Sequence, residues 1–434
     1  MTAAAGLGPA PPAMAELRRQ ARAAAPDGLI DLSRSEPLPI PLSDECAARV
    51  AEGFMRARQY SPPAGLMPVR DAAARYASGR TGLAIDAADV TIVAGAMAGL
   101  AVALRALIDP GDEVLVPVPY FHSYPKQVAM LGGVPRLVDT RPLQGELTPA
   151  AIERELTPRT RALLLCNPAN PAGVLLDRQR LAAILAVLPA DVAVIADEVY
   201  AEYVYAAADA RSTRGDASVL AVAAEEDAGR EVVSLDTASK TAAMPGWRVG
   251  SAVGTPGLTP RLARAAATLS GAPGTLAQLA YGAWLDDPPQ LDRMAPYRPR
   301  LRDALDALHA GGLTVRPPDG SYYVWASAPP GAADADASSD GPTAAPIAVG
   351  DGSTTPSGTS NGNAAPAFGA TDTALELARR SGVLVWPGIL FGDSRSVRIS
   401  LSVPRRELRD GVIRFTDSWR EVREGDISIS RSRR

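Results

Sequence analysis

The 434-residue chain has little cysteine and little histidine: Cys46, Cys166, His122 and His309 are all it holds of either. Two cysteines build no disulfide framework, and two histidines exclude a multi-histidine metal centre. Basic runs are missing until the short RSRR end, and the formal net charge is −4. There is therefore no electrostatic footprint for nucleic acid. No apolar stretch reaches membrane-spanning length, and the start MTAAAGLGPAPPAMAELRRQ lacks the basic opening and apolar run of a secretory signal. These absences predict a cytoplasmic protein, with no membrane and no nucleic acid among its partners, that acts on a small molecule.

What is present is apolar material: 47% of residues are hydrophobic, enough for a large core and for a big domain beside a smaller one, or for two similar ones. From about Val90 to Leu235 the runs VTIVA, EVLVP, RALLLC, VAVIA and EVVSL alternate with helix-like segments such as AMAGLAVALRALI. Continuous apolar runs of this length suit strands buried on both faces, and their alternation with helices predicts an α/β domain with a mostly parallel open sheet. Two runs end in polar residues, RALLLC in NPANPAG and VAVIA in Asp197, Glu198 and Tyr200. Open α/β sheets bind ligands outside the carboxyl ends of their strands, so polar side chains are expected to meet there.

After Gly312 the pattern changes to LTVRP, SYYVWAS, a helix around Thr373–Arg380, VLVWP, SVRISLS and a last helix near Arg405–Trp419. This predicts a smaller α+β lobe. Residues 330–370 contain no lysine, arginine or leucine; such a segment cannot offset its ordering entropy, which predicts a disordered insertion. The expected organisation is an N-terminal segment 1–28, a first part of the small domain 29–50, a large domain 51–295, the small domain 296–423 with its insertion, and a flexible tail 424–434.

The chemistry begins at LDTASKTAAMPGWRVG, where Lys240 sits among small side chains with Arg248 eight positions on. A buried lysine near a second cation loses its proton readily and becomes a nucleophile toward a carbonyl. If that carbonyl is pyridoxal phosphate, the site also needs an anion cradle, a carboxylate for the pyridine nitrogen and a flat contact for the ring. A surface lysine in a turn is the plain alternative.

The segments QYSPPAGLMPVR, DPGDEVLVPVPYFHSYPKQ, NPANPAG, ADEVY, SKTAAMPGWRVG and SVRIS, in that order, resemble the class I/II pyridoxal-phosphate aminotransferases of fold type I, the aspartate aminotransferase superfamily. The resemblance runs from about Ile30 to Trp419 and implies a large domain with a mostly parallel sheet flanked by helices, plus a smaller α+β domain. It implies pyridoxal 5′-phosphate as the cofactor. Lys240 would be the Schiff-base lysine and proton carrier, Arg248 the phosphate-binding fork, Asp197 the pyridinium partner, and Tyr200 and Asn170 the partners of the cofactor's 3-oxygen. Ala96 and Met97 would donate backbone amides to the phosphate, Thr237 a hydroxyl, and Phe121 would stack on the ring. Tyr60 would reach the phosphate of a neighbouring subunit, which implies a homodimer with shared sites. Arg398 would grip the substrate α-carboxylate, with Asn170 helping to orient it.

Departures from the family pattern are Ala172 in place of threonine, Met97 and Ala98 where polar residues are common, His122 at an often apolar position, and Ser35 where relatives usually have glycine. Ser35 is expected to touch substrate and to alter its choice. Taken alone, Phe121 also reads as core, the Asn-Pro pairs as turns and Arg398 as a solvent-facing arginine. The implied activity is transfer of the amino group of an L-amino acid to a 2-oxo acid through pyridoxamine phosphate. The same site is also compatible with a lyase or cyclase resembling the 1-aminocyclopropane-1-carboxylate synthases, and, less well, with a non-catalytic binder of the cofactor.

Overall fold

The alternating apolar runs have a direct structural counterpart in a computed structural model, which describes residues 14–25, 28–205, 217–226, 229–329 and 371–423. The expected insertion at 330–370 and the tail 424–434 lie outside the described residues. The described residues divide into two units: those within 36–295 and 318–322, and those within 1–35, 296–317 and 323–434.

The small unit opens with helix α1 (Met14–Ala24) and strand β1 (Ile30–Asp31); α2 (Asp44–Gly53) and α3 (Met67–Thr81) then begin the large unit. The large unit's strands are β2 (Val90–Val93), β3 (Glu113–Val118), β4 (Val134–Asp139), β5 (Thr160–Cys166), β6 (Ala193–Asp197), β7 (Val232–Thr237) and β8 (Gly250–Gly254). They form one seven-stranded sheet in the order β2-β8-β7-β6-β5-β3-β4. All neighbours are parallel except that β8 runs antiparallel to both β7 and β2. The alternation of side chains divides each central strand between two cores. Leu163, Leu165, Val194 and Ala196 enter one cluster, while Ala162, Leu164 and Ile195 enter the other. The strand β8, reading GSAVG, carries too little apolar bulk to announce itself in the sequence.

The small unit holds a four-stranded antiparallel sheet in the order β12-β13-β10-β9, built from β9 (Thr314–Val315), β10 (Tyr323–Ser327), β12 (Trp386–Pro387) and β13 (Ser396–Ser400). A parallel pair joins β1 to β11 (Val383–Leu384). Helices Thr371–Ser381 and Arg405–Arg423 complete the α+β unit foreseen from the pattern. Together the units have the architecture expected of fold type I.

The division differs from the expected domain limits in three places, each for a packing reason. Residues 36–50 belong to the large unit, because α2 lies on the helix Thr275–Asp286: Cys46 Sγ donates to the Ala280 carbonyl at 3.5 Å and Arg49 Nη1 to Asp286 Oδ2 at 2.5 Å. Residues 318–322 also join it, since the amides of Asp319 and Gly320 donate to the Gly173 carbonyl at 2.9 and 3.0 Å. Finally, 14–24 is not a separate segment, for Leu17 and Ala21 of α1 are buried with Trp386 and Phe391 in the small unit's core.

Candidate active site in the large unit

The carboxyl ends of β5, β6 and β7 lie side by side, with Cys166 paired to Asp197 and Asp197 to Leu235. The chain turns sharply after each strand, so the polar residues that follow are gathered at one edge of the sheet. From β7 the chain passes into the helical turn Ala238–Thr241, capped by Thr237, whose Oγ1 accepts from the Ser239 amide at 3.3 Å. This turn carries Lys240. The half-buried Lys240 Nζ lies 5.7 Å from the ring centre of Tyr200 and 5.9 Å from that of Tyr322. Tyr203 Oη donates to the Lys240 carbonyl at 2.9 Å, which anchors the backbone of the turn.

Asp197 ends β6. Tyr124, the first residue of α5 (Tyr124–Met130), donates its hydroxyl to Asp197 Oδ2 at 2.5 Å, and the Val199 amide reaches Oδ1 at 3.4 Å. Loss of water around the carboxyl raises its pKa from 3.8 to about 6, against the pull of Tyr124, the Val199 amide and Lys240. Burial first, and then the Asp197 charge, push the Tyr124 phenol well above its ordinary range. Phe121, three residues earlier, is half-buried and packs edge-on to Tyr124 with ring centres 5.6 Å apart. Asn170, buried in the loop after β5, donates from Nδ2 to the Tyr200 hydroxyl at 3.4 Å.

A second cluster lies where α4 (Ala96–Leu107) begins. Its N-cap is Gly95, at φ 78° and ψ 168°, a conformation essentially confined to glycine. Any Cβ on Gly95 would sit 3.0 Å from Arg248 Nη2 and 3.6 Å from Thr237 Oγ1. Arg248 Nη1 donates to Ser239 Oγ at 3.2 Å and to the Pro245 carbonyl at 3.0 Å. An exposed guanidinium, two hydroxyls and the first amides of a twelve-residue helix thus surround a space kept open by a glycine, which suits a dianion. Ala96 and Met97 supply those amides. The Met97 side chain is 37% exposed and accepts a weak contact from Gln127 Nε2 at 3.6 Å.

The structure therefore brings together Lys240, Tyr200 and Asn170, sets Asp197 on the adjoining strand end, and gathers Thr237, Arg248 and the start of α4. Tyr60 stands apart, fully exposed after the short helix Phe54–Arg58. Ser35 and Arg398 belong to the small unit. His122 pairs with neighbouring Ser123 at 3.2 Å and tilts against Phe121. Glu198, left without a role by the sequence, is buried, with Oε2 3.1 Å from Arg80 Nη2; it accepts from Ser234 at 2.6 Å and from the Val219 amide at 2.7 Å.

Sequence reasoning missed Tyr124, Ser239, Tyr203 and Tyr322. The first two stand inside quoted motifs, PYFHSY and SKT, and were open to discovery by spacing. Tyr322 was not, because it comes from a segment more than 80 residues further along the chain. Among the described residues no group of three or more His, Cys, Asp or Glu is placed to hold a metal ion, and no helix is long and apolar enough to cross a membrane.

Likeness to known proteins defines the class, an enzyme of the aminotransferase type. The chain belongs to the family described as aminotransferase class I and II, whose pattern matches residues 29–415. It is 30% identical over 411 residues to the aspartate/prephenate aminotransferase of Thermus thermophilus, covering 92% of each chain. An aspartate aminotransferase of Geobacillus stearothermophilus is 30% identical over 73% of this chain and 79% of its own. Among solved structures, the aspartate aminotransferase of Rhizobium meliloti superposes with a TM-score of 0.78 at 25% identity, covering 96% of this chain and 98% of that one.

Proposed function

We propose that this aminotransferase holds pyridoxal 5′-phosphate in the large unit and, as a cytoplasmic homodimer, moves the amino group of an L-amino acid to a 2-oxo acid. The observation that carries the reading is the Gly95–Arg248–Thr237–Ser239 cradle in the same unit as Lys240 and Asp197. When bound, the cofactor supplies a carbonyl for the substrate amine and a ring that accepts electrons from Cα.

Each residue then has a task set by its chemistry. Arg248 and the amides of Ala96 and Met97 hold the phosphate, and Thr237 adds a hydroxyl. Asp197 would pair with the pyridine nitrogen: burial raises its pKa, and a protonated ring nitrogen would be a cation that favours its charged form. Tyr200 and Asn170, already hydrogen-bonded to each other, present a phenol and an amide to the 3-oxygen. Phe121 offers a flat apolar face. Lys240 Nζ carries the proton to and from substrate Cα, and Arg398 receives the α-carboxylate. Tyr60, with every side of its ring in solvent, has the exposure that a contact to a neighbouring subunit requires.

The test is to load the purified protein with pyridoxal phosphate and add single amino acids, aspartate first because the relatives carry that name. The cofactor's visible absorbance is expected to fall as the matching 2-oxo acid is released. Accumulation of an eliminated or cyclised product, with the absorbance retained, would overturn transamination.

A further inference from the structure

Arg398 is 1% exposed and lies on β13 inside a box of aromatic rings. Its guanidinium carbon is 4.0 Å from the ring centre of Tyr323, 5.0 Å from Trp386 and 5.2 Å from Phe391. The register explains the box: Arg398 is directly opposite Trp325 on one side and Trp386 on the other. Phe391 closes it edge-on to both tryptophans, at 5.5 Å from each.

The same rings also hold the segment Ser33–Ser35. Trp386 Nε1 donates to the Ser33 carbonyl at 2.5 Å, and Tyr323 Oη to the Ser35 carbonyl at 3.3 Å. Arg18 of α1 adds bonds to Ser33 Oγ at 3.2 Å and to its carbonyl at 3.3 Å. Into this pinned segment Arg398 sends a bond of its own, from Nη2 to Ser35 Oγ at 3.1 Å. Ring faces offer a guanidinium no directed bond, whereas the Nη2–Oγ hydrogen bond restrains the rotation of the fork.

We propose that Ser35 is a positioning residue for the substrate carboxylate: its oxygen accepts from Arg398 Nη2 and sets the orientation of the fork. The inference rests on the reading in which Arg398 receives that carboxylate. Because the amino donor and the 2-oxo acceptor share the α-carboxylate, the contact binds ground state and transition state alike. Its loss raises KM for both substrates and leaves kcat unchanged.

The experiment compares the cofactor-loaded wild type with Ser35→Ala, Ser35→Gly and Ser35→Thr. It records kcat and KM for the amino donor and the oxo acid, the Kd of maleate by calorimetry, and Tm as a folding control. The expected result is a rise of about tenfold in both KM values and in the maleate Kd for the alanine and glycine variants, the scale of one lost hydrogen bond to a charged group. Threonine, which keeps the hydroxyl, restores both. Wild-type KM and Kd in Ser35→Ala, or a fall in kcat alone, overturns the inference. If the wild type fails to transaminate while Ser35→Ala still weakens maleate, the functional reading falls and the role of Ser35 stands. If the wild type transaminates and Ser35→Ala matches it, Ser35 alone is misassigned.

Discussion

Tyr124 Oη donates to Asp197 Oδ2 across 2.5 Å, joining the first residue of a helix to the last residue of a central strand. The bond orients the carboxyl that is proposed to face the cofactor, and it opposes the rise in pKa that burial imposes.

The pH dependence of the cofactor-free protein tests this electrostatic account. With a folded pKa of about 6 against an ordinary 3.8, the folded chain keeps a proton between those values that the unfolded chain has released. Stability therefore falls as pH rises through that window, and the cost is complete above it. Asp197→Asn removes the cost. Its stability relative to wild type is expected to improve by up to about 3 kcal/mol above pH 6, with no such gain below pH 4. Tyr124→Phe removes an opposing hydrogen bond and moves the window to higher pH. Denaturant titrations over the pH range give both results.

Lys240 is one of two lysines in the chain, the other being Lys126 on α5. Lys240→Ala is expected to lower transamination by about a thousandfold or more, the scale of lost proton transfer, with Tm nearly unchanged. Reductive trapping of bound cofactor followed by peptide mapping should mark Lys240 in the wild type and leave Lys126 unmarked. Label on Lys126 would refute the assignment.

Gly95 admits no side chain without moving Arg248. Gly95→Ala places a methyl 3.0 Å from Nη2 and forces alanine into a glycine-only conformation at a cost of about 1–3 kcal/mol. Cofactor affinity, read by equilibrium dialysis, is expected to fall at least about tenfold. An unchanged affinity places the phosphate elsewhere.

Arg398→Lys keeps a positive charge but loses the planar fork and its stacking. We expect KM for amino donor and oxo acid to rise by about ten- to a hundredfold, as for lost charge-assisted hydrogen bonds. Steady-state kinetics with both substrates varied check it; equal KM values in variant and wild type would show that the carboxylate binds elsewhere.

A homodimer requires a surface to form it. Phe54 and Met55 are 66% and 64% exposed and Met67 53%, in the stretch that also carries Tyr60, an apolar concentration of the kind that marks protein–protein contacts. Sedimentation equilibrium of the loaded protein is expected to give twice the chain mass, and Phe54→Glu to shift it toward the monomer. A monomer that is fully active removes Tyr60 from the site.

The α/β architecture was legible because burial on both faces of a parallel sheet demands unbroken apolar runs, and RALLLC and VAVIA meet that demand within a few residues. The inner strand β8 was hidden by its glycines and small side chains. The chemistry-bearing residues were legible where neighbours in sequence remain neighbours in space, as from Thr237 to Arg248.

By itself, then, the sequence determined the class of fold, the family and the short motifs that carry polar chemistry, since each depends on composition and spacing within a few turns of chain. Tertiary structure alone decided that Tyr124 meets Asp197, 73 residues away, that Arg398 meets Ser35, 363 residues away, and that residues 36–50 pack with the large unit. Such contacts follow from strand order and register, and local periodicity carries no record of either.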